Sequence, residues 1–565
     1  MSHIPSLVPK AVCITPARAA AGGPLWRRLQ AASSEQAIVL ASLFFTLFSN
    51  HGFWSAWSAA HDLSDPASWL LAAAVFALIT ALHCLFLGLV VTRRTARPVL
   101  AALFIVTALA AHYMARYRVF FDAGMIRSVF HTDYKEAAEL ATPGMLVALL
   151  TYGIAPAVLA WRLKLARRGA RAALAARAVF LLAALATAGA GLAYAFQDLS
   201  ALMRNHKELR YLITPANLIV SSARVMAAEG AQAKRARIPV GADATAGAAM
   251  SGAGKPRLLV VVVGETARAA NWGLNGYRRN TTPELAALDV VNFTHMTSCG
   301  TNTEVSVPCM FSPFGRKAYD EPKIRRHESV LHVFEHAGIK TIWRDNQSGC
   351  KGVCEGLESQ RPEDSHDPAS CGGAHCFDEV LLEGFEDMLR AHPGDLVVVL
   401  HQLGNHGPAY ARRHPAAYRR FTPGCDEADL GKCTQEQIVN SYDNALLYTD
   451  HFLAATIRRL QSQHSHDAAI VYVSDHGESL GEKGIYLHGM PYSIAPHEQV
   501  EVPMVMWMSD AFALGAGVDA GCLRERAARP ASHDHLFHTL LGLMRVQSCV
   551  HDPAFDLLTG CRSRA

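Results

Sequence analysis

Five long apolar stretches dominate about the first 200 residues, and they lie at 37–57, 68–92, 98–116, 144–163 and 177–197. Each has about the 20 residues that a helix needs to cross the roughly 30 Å hydrocarbon core of a bilayer. A cleavable signal peptide is a poor reading of the first stretch, because Asn50, His51 and aromatic residues stand where small residues would precede a cleavage site. The pattern predicts an N-terminal membrane domain with five spans.

Lysine and arginine residues set the expected orientation of these spans, because basic loops stay in the cytoplasm. The loop after the first stretch, at 61–65, has no basic residue. Basic residues instead precede the first stretch and follow the second and fourth: Lys10, Arg18, Arg27, Arg28; Arg93, Arg94, Arg97; Arg162, Lys164, Arg167, Arg168, Arg171, Arg177. We therefore expect everything after about residue 198 to lie outside the cytoplasm.

Composition excludes several other classes of protein. Of the 565 residues, 50% are apolar and only 18% are charged, which excludes a disordered or fibrous chain. A formal net charge of +4 over this length gives no general basic field, so we expect no nucleic-acid partner.

Cysteines give an independent indication of the compartment. Only Cys13 and Cys84 precede residue 299, so 11 of the 13 cysteines lie in the second half. Four close pairs recur there: Cys299/Cys309, Cys350/Cys354, Cys371/Cys376 and Cys425/Cys433. Their irregular spacing favours disulfides in an oxidising compartment over zinc-binding pairs. Three pairings of the remaining Cys522, Cys549 and Cys561 stay open.

We divide the chain into four parts: a cytoplasmic segment at 1–36, a five-span domain at 37–198, a bridge at 199–256 and an extracytoplasmic domain at 257–565. Within the bridge, residues 200–228 predict an amphipathic helix that leaves the membrane. The Ala- and Gly-rich stretch 230–254 predicts a flexible tether.

Beyond the tether the pattern becomes α/β. Short apolar runs alternate with helical stretches, and they predict strands at Leu258–Val263, Lys340–Trp343, Leu396–Leu400, Ile470–Val473 and Met504–Trp507. Unbroken apolar runs are typical of strands that are buried on both faces of a mainly parallel sheet. In such sheets, ligands bind beyond the carboxyl ends of the strands.

Acidic residues and histidines follow these predicted strands. Glu265 comes after the first, Asp475 and His476 after the fourth, and His401 and His406 after the third. Each residue taken alone could cap a helix. Together, at one edge of one sheet, they predict a site for zinc or manganese.

A candidate nucleophile lies in the hydroxyl-rich segment 297–309, which two paired cysteines close. A threonine hydroxyl is a weak nucleophile when free, but a metal lowers its pKa and also stabilises charge on a transferring phosphoryl group. A Ser/Thr-rich turn without a catalytic role is the alternative.

Several blocks of sequence resemble the phosphoethanolamine transferases, membrane enzymes of the alkaline-phosphatase/sulfatase superfamily. The resemblance rests on residues 263–268 (VGETAR), 271–277 (NWGLNGY), 298–311 (SCGTNTEVSVPCMF) and 474–479 (SDHGES). It covers nearly the whole chain. It implies a five-helix transmembrane domain followed by an α/β domain of the sulfatase and alkaline-phosphatase type, with a mainly parallel central sheet.

The resemblance also implies roles for individual residues. Thr303 is the nucleophile, and Glu265, Asp475 and His476 join it as ligands of one tightly bound zinc ion, with a second ion possible. His406 and His488 match catalytic histidines near the substrate phosphate.

Further matches concern the substrates. Ser348 and Lys351 match positions that hold the donor head group, and Thr132 and Glu136 match a segment that touches the lipid substrate. Two positions depart from the family pattern: Ser128 replaces the usual Asn, and Glu304 stands where relatives often have Ala.

The implied reaction transfers phosphoethanolamine from phosphatidylethanolamine to lipid A phosphate groups through a phosphothreonine, and it is expected to lower polymyxin binding. A monomer in the bacterial inner membrane, with its catalytic domain in the periplasm, is expected. Alternatives are transfer to another periplasmic glycan such as core heptose, a phosphoglycerol transferase, and a non-enzymatic receptor. A sulfatase fits poorly, because no Cys/Ser-x-Pro-x-Arg motif surrounds Thr303.

Overall fold

We describe a computed structural model of the chain at residues 32–132, 134–205, 209, 211–232, 236–247, 255–362, 371 and 376–562. Most of the expected cytoplasmic segment 1–36 lies outside these residues. Parts of the expected tether, at 233–235 and 248–254, and the side chain of Glu136 also lie outside them.

In the described residues of the N-terminal part, every long secondary-structure element is a helix. Its α-helices are α1 (Ser34–Phe44), α2 (His51–Ala60), α3 (Pro66–Val90), α4 (Ala96–Tyr117), α5 (Ala123–His131), α6 (Tyr134–Glu139), α7 (Pro143–Ala148), α8 (Ala155–Arg162), α9 (Ala170–Asn205) and α10 (Ala216–Gln232). Within the described residues, four helical segments are long and apolar enough to span a membrane: α3, α4, the continuous α7–α8 segment Pro143–Arg162, and α9. A fifth span is present if one pair of helices, which meet at a bend, is counted as a single span.

That bent pair corresponds to the first predicted span. Helical residues Ser34–Ser49 and α2 meet at an angle of 58°. Asn50 lies at the bend, 1% exposed, and its side-chain N–H groups donate to the carbonyls of Phe45 (2.8 Å) and Thr214 (2.9 Å). Its Oδ1 accepts the N–H of Thr214 (2.7 Å). The first predicted span is therefore a broken helix whose bend is tied to the segment that precedes α10.

The bridge differs from the single helix predicted at 200–228. The helix of the last span continues to Asn205, and a separate helix, α10, begins at Ala216. Pro215 immediately precedes α10, and a proline inside a helix would remove a backbone hydrogen bond and clash with the preceding turn. The hydropathy of the sequence does not indicate this break between the two helices.

The C-terminal part is an α/β domain. Its strands, together with one short strand before it, are β1 (Thr245–Ala246), β2 (Arg257–Gly264), β3 (Val291–Thr297), β4 (Lys340–Asp345), β5 (Glu358–Gln360), β6 (Leu396–His401), β7 (Asp467–Ser474), β8 (Ser479–Leu480), β9 (Tyr486–Leu487), β10 (Glu501–Met508), β11 (Ala531–Ser532) and β12 (Val546–Gln547). Its α-helices are α11 (Pro283–Ala286), α12 (Thr303–Met310), α13 (Glu321–Arg326), α14 (Val330–His336), α15 (Phe385–Ala391), α16 (Gln435–Ser462), α17 (His497–Val500), α18 (Asp510–Ala516), α19 (Ala520–Ala527) and α20 (Leu536–Leu543).

Eight strands form one central sheet in the order β11-β3-β10-β7-β2-β6-β4-β5. Strand β10 runs antiparallel to both of its neighbours, whereas the other pairings are parallel. Each of the five predicted runs lies within one of the strands β2, β4, β6, β7 and β10. Every residue of β2 and β6 is buried, because helices cover both faces of the sheet. The predicted fold class is confirmed.

Five disulfide bonds stabilise the loops of this domain. The four close pairs are bonded as Cys299–Cys309, Cys350–Cys354, Cys371–Cys376 and Cys425–Cys433. The fifth joins Cys522 to Cys561, which resolves the pairing that the sequence left open and leaves Cys549 exposed as a free thiol.

Residues 236–247 of the expected tether pack against the α/β domain. Val240 and Ala244 are 5% and 6% exposed and join the core on one face of the sheet. Strand β1 pairs with β12. The composition of the tether indicated flexibility, but its few apolar side chains gain free energy by leaving water.

Two ion pairs, one of them buried, join the membrane domain to the α/β domain. Arg116, at the end of α4, contacts Asp429 at 2.5 Å. The carboxylate of Glu139, at the end of α6, pairs with the guanidinium of Arg413, and these side chains are only 4% and 1% exposed. The two domains therefore share polar contacts on the side of the sheet where the acidic and histidine residues collect.

Candidate active site

The sheet brings the predicted metal ligands together. Gly264, the last residue of β2, is in register with Ser474, the last residue of β7. Glu265 and Asp475 therefore leave adjacent parallel strands at the same edge, and both are buried. His476 follows Asp475, and its Nε2 lies 3.4 Å from Oε1 of Glu265 and 3.3 Å from Oδ2 of Asp475.

Thr303 lies at the first position of α12. Asn302 caps this helix, because its side-chain oxygen accepts the N–H of Val305 at 3.0 Å. The hydroxyl of Thr303 lies 3.1 Å from Oε2 of Glu265 and 3.3 Å from Nε2 of His476. The four residues expected to form the metal site thus converge on one point.

The charges of this cluster fit a divalent cation. Burial and the neighbouring Glu265 charge raise the pKa of Asp475. Although burial favours their neutral forms, mutual attraction lowers the pKa of Glu265 and raises that of His476. Oδ2 of Asp475 is buried and has no hydrogen-bond partner among the described residues. Two buried carboxylates with an unsatisfied oxygen are a typical ligand set for zinc.

His488 also approaches this cluster. One ligand atom from each of Glu265, His476 and His488 lies within 4.8 Å of the other two. Nδ1 of His488 lies 3.2 Å from a carboxylate oxygen of Glu478, and burial lowers the pKa of His488 despite that neighbour. The ring of His406 is 5.4 Å from the ring of His488. Both predicted catalytic histidines line the same cleft as Thr303.

His401 has a different role from the other strand-end histidines. It is fully buried, and its Nδ1 pairs with Oδ1 of Asp345 at 2.7 Å. It lies outside the metal cluster.

Ser348 and Lys351 line the same cleft in the loop after β4. The ammonium group of Lys351 donates to Oγ of Ser348 (2.5 Å) and lies 3.3 Å from a carboxylate oxygen of Glu304. The carboxylate of Glu304 also contacts Nδ1 of His131 at 3.0 Å and the guanidinium of Arg325 at 3.1 Å. Side chains from α5, from α13 and from the loop after β4 therefore contact the carboxylate of Glu304.

The membrane domain supplies part of the cleft wall. Ser128 and Thr132 line the cleft, and the Thr132 hydroxyl donates to the Ser128 carbonyl at 2.6 Å. Glu136 lies in α6, but its side chain is outside the described residues. Its predicted contact with the lipid substrate stays a prediction.

Sequence reasoning missed several residues of this site. Gln347 donates toward Oε2 of Glu265 at 3.4 Å, and His131 closes the cleft from the membrane side. Glu478 fixes the orientation of His488. Gln347 and Glu478 stand in strand-end segments, so position could have suggested them, whereas no local signal marks His131.

Comparisons with known proteins show the family of this chain. A family model described as sulfatase matches residues 257–546, and one described as phosphoethanolamine transferase EptA/EptB matches residues 79–229. Phosphoethanolamine transferase EptA of Salmonella typhimurium is 40% identical over 471 residues, which are 82% of this chain and 85% of the relative. This chain belongs to the phosphoethanolamine transferase family.

Other members of the family agree in sequence and in structure. Phosphatidylethanolamine transferase Mcr-1 of Escherichia coli is 36% identical over 481 residues, 83% of this chain and 88% of the relative. The structure of the integral membrane lipooligosaccharide phosphoethanolamine transferase A of Neisseria meningitidis superposes with a TM-score of 0.90. The two chains are 34% identical, and the superposition covers 94% of this chain and 99% of the Neisseria chain. The likeness therefore includes both the membrane and the catalytic domains of this transferase.

Proposed function

We propose that this transferase moves phosphoethanolamine from phosphatidylethanolamine to phosphate groups of lipid A through a covalent intermediate on Thr303. The observation that carries the proposal is the position of the Thr303 hydroxyl, 3.1 Å from Glu265 and 3.3 Å from His476 at the start of a helix. A hydroxyl among buried acidic and imidazole groups is the arrangement that an activated nucleophile needs.

Glu265, Asp475 and His476, together with the Thr303 oxygen, are the groups that would hold a zinc ion. Such an ion supplies positive charge that lowers the pKa of a neighbouring hydroxyl and stabilises charge on a phosphoryl group. The unsatisfied Oδ2 of Asp475 supports this assignment. One ion fits the cluster, and the nearby pair of His406 and His488 offers donors for a second.

In the first step, the Thr303 oxygen bonds to phosphorus while the bond from phosphorus to the diacylglycerol oxygen breaks. The threonine hydroxyl loses one proton and the departing oxygen gains one, so the step needs no net proton. His406 and His488 line the cleft opposite Thr303 and are the groups placed to deliver that proton.

In the second step, a phosphate oxygen of the acceptor bonds to the same phosphorus and the bond to Thr303 breaks. The proton of the acceptor phosphate returns to the threonine oxygen. In-line displacement places each incoming group opposite the group that leaves. The acceptor therefore enters from the side that diacylglycerol vacated.

The location of the domains suits this reaction. Donor and acceptor are both membrane lipids, so a catalytic domain held against membrane helices meets them at a high effective concentration. We place the chain in the bacterial inner membrane with its catalytic domain in the periplasm, where disulfides persist. Ser348 and Lys351 would hold the donor head group, and a monomer contains every residue of the site.

Replacing the nucleophile tests this function. Thr303→Ala should abolish the gain of one phosphoethanolamine unit on lipid A, as measured by mass spectrometry of lipid A from cells expressing the full chain. Thr297→Ala is the matched control, because its half-buried hydroxyl lies in β3 and outside the cleft. Polymyxin susceptibility should follow the modification.

Unchanged lipid A modification by Thr303→Ala would contradict the proposed nucleophile. A glycerol phosphate product would select a phosphoglycerol transferase, and phosphoethanolamine on the core sugars alone would select the heptose acceptor.

A further inference from the structure

A second cavity, with charged residues in its walls, adjoins the active-site cleft. It has a volume of about 450 Å³ and shares His131, Glu304, Ser348 and Lys351 with the cleft as common walls. Its other walls come from both domains and from the bridge. Ligand sites in proteins commonly enclose about 300–1,000 Å³, so the cavity is large enough for a sugar that carries a phosphate.

Three arginines from separate parts of the chain line this cavity. Arg127 comes from α5 in the membrane domain, Arg237 from the bridge and Arg325 from α13 in the catalytic domain. Their convergence requires the two domains and the bridge to be assembled. A guanidinium group presents paired N–H donors that match the oxygens of a phosphate.

A carboxylate contacts each of these arginines. Arg237 pairs with Glu355 at 2.7 Å, and Arg325 pairs with Glu304 at 3.1 Å. Arg127, with a side chain only 4% exposed, pairs with Glu321 and lies 3.5 Å from Glu229. The Nε atom of Arg237 is nevertheless buried without a hydrogen-bond partner in the described part of the chain. A bound anion would satisfy such a donor.

The charged side chains of the walls disfavour acyl chains. Seven of the seventeen lining residues are arginines or glutamates, and burying their charged ends against hydrocarbon would cost free energy. A phosphorylated sugar offers the matching groups, because its phosphate accepts from guanidinium groups and its hydroxyls donate to carboxylates. A separate, mainly apolar cavity of about 590 Å³, between α3 and α10, has walls that suit lipid tails.

We propose that this charged cavity binds the phosphorylated sugar of the acceptor, with Arg127, Arg237 and Arg325 as its anion-recognising residues. The assignment rests on the proposed function, in which the acceptor reaches the Thr303 adduct after diacylglycerol has left. The shared wall formed by Glu304 and Lys351 places the cavity directly beside that adduct.

The two half-reactions separate this role from a role in donor binding. Purified full-length protein in vesicles containing phosphatidylethanolamine would be assayed for the Thr303 adduct by intact-protein mass spectrometry, and then for transfer to added lipid A. Arg127→Gln, Arg237→Gln and Arg325→Gln should raise the KM for lipid A about tenfold to a hundredfold, the usual cost of a lost hydrogen bond to a charged group. Adduct formation should change much less.

Arg326→Gln is the matched control, because this neighbour on α13 is exposed and does not line the cavity. Lipid A from which the phosphates have been removed should show no difference in binding between wild type and the three variants. Arg237, in the bridge, gives a variant whose folding is least at risk if Arg127→Gln is unstable.

A wild-type KM for lipid A in all folded variants would overturn the proposal. So would a parallel loss of adduct formation and transfer, because that result would assign the arginines to the donor or to structure. Absence of any Thr303 adduct in the wild type is a different result: it removes the covalent route of the proposed function and this assignment with it.

Discussion

Asp475 uses its two carboxylate oxygens differently. Oδ1 accepts backbone N–H groups from Thr266 at 3.2 Å and from His476 at 2.7 Å, which fix the side chain. Oδ2 is buried without a hydrogen bond among the described residues and points toward His476. One oxygen therefore holds the residue in place while the other is available to a cation.

Asp475→Asn separates charge from position, because an amide keeps the oxygen that accepts the two N–H groups. We expect the amount of bound zinc to fall. Lipid A modification should decrease by more than about 10–100-fold, which is the loss seen when a residue that only contacts a metal ligand is replaced. Elemental analysis of the purified protein and lipid A mass spectrometry measure the two effects. Asp510→Asn, at an exposed position on α18, is the control. Full zinc content in Asp475→Asn would show that the metal lies elsewhere.

At the scale of elements, His533 joins the segment before α12 to the central sheet. Its Nδ1 accepts the N–H of Cys299 at 3.1 Å, and its Nε2 donates to the carbonyl of Ser474 at 3.0 Å. Ser474 ends β7, directly before Asp475 and His476, and Cys299 precedes α12. Only the neutral ring can make both bonds, and burial lowers the pKa of His533 to about 3. The ring thus keeps Thr303 in register with β7.

This coupling predicts a pH dependence of stability. The folded pKa of His533 lies below its ordinary value of 6.5, so the unfolded chain binds the proton first as the pH falls. Its contribution is complete above about pH 6.5 and is lost toward pH 3, by about 1.4 kcal/mol for each pH unit.

Chemical unfolding at several pH values would measure the effect. His533→Gln should flatten the slope between pH 6.5 and 5, and it should also lower activity at neutral pH. The outward-facing His497→Gln leaves the slope as in the wild type. Equal slopes for wild type and His533→Gln would refute the role of this ring.

Some elements could be predicted from sequence because their signal is local. The runs in β2 and β6 are apolar throughout, since both faces of the sheet are buried, and Glu265 and Asp475 are marked by following such runs. Strand β3 was missed because its burial alternates along Val291–Thr297 and its partners are distant in sequence.

The rest of the site depends on contacts between distant segments. His131 reaches Glu304 from the membrane domain, across a separation of 173 residues, and no local pattern encodes such a pair. Glu304 stands where relatives often have Ala, and the role of its carboxylate can be interpreted only when these partners are known. The pairing of Cys522 with Cys561 depends in the same way on how α19 packs near the chain end.

At the scale of the whole molecule, one buried ion pair links a helix of the membrane domain to a histidine of the cleft. Arg413 pairs with Glu139 of α6, and its Nε donates to the backbone carbonyl of His406 at 2.7 Å. The membrane domain thereby influences the position of a histidine in the cleft. The catalytic domain depends on the membrane domain for more than its location.

Breaking this pair should be costly. Glu139→Gln or Arg413→Gln should each destabilise the protein by about 3–5 kcal/mol, because one buried charge loses its partner. The double variant should recover part of that loss, which thermal unfolding of the purified full chain can measure. Additive losses in the double variant would show that the two side chains do not interact in solution.

Asn50 closes the bend in the first span by satisfying the carbonyl of Phe45 and both backbone groups of Thr214. Within a bilayer no water is available to replace these bonds. The bend at Asn50 and the segment that contains Thr214 therefore depend on each other, although these two residues are 164 positions apart in the sequence. Across related chains, we expect the residue at the bend and the length of the segment before α10 to change together or not at all.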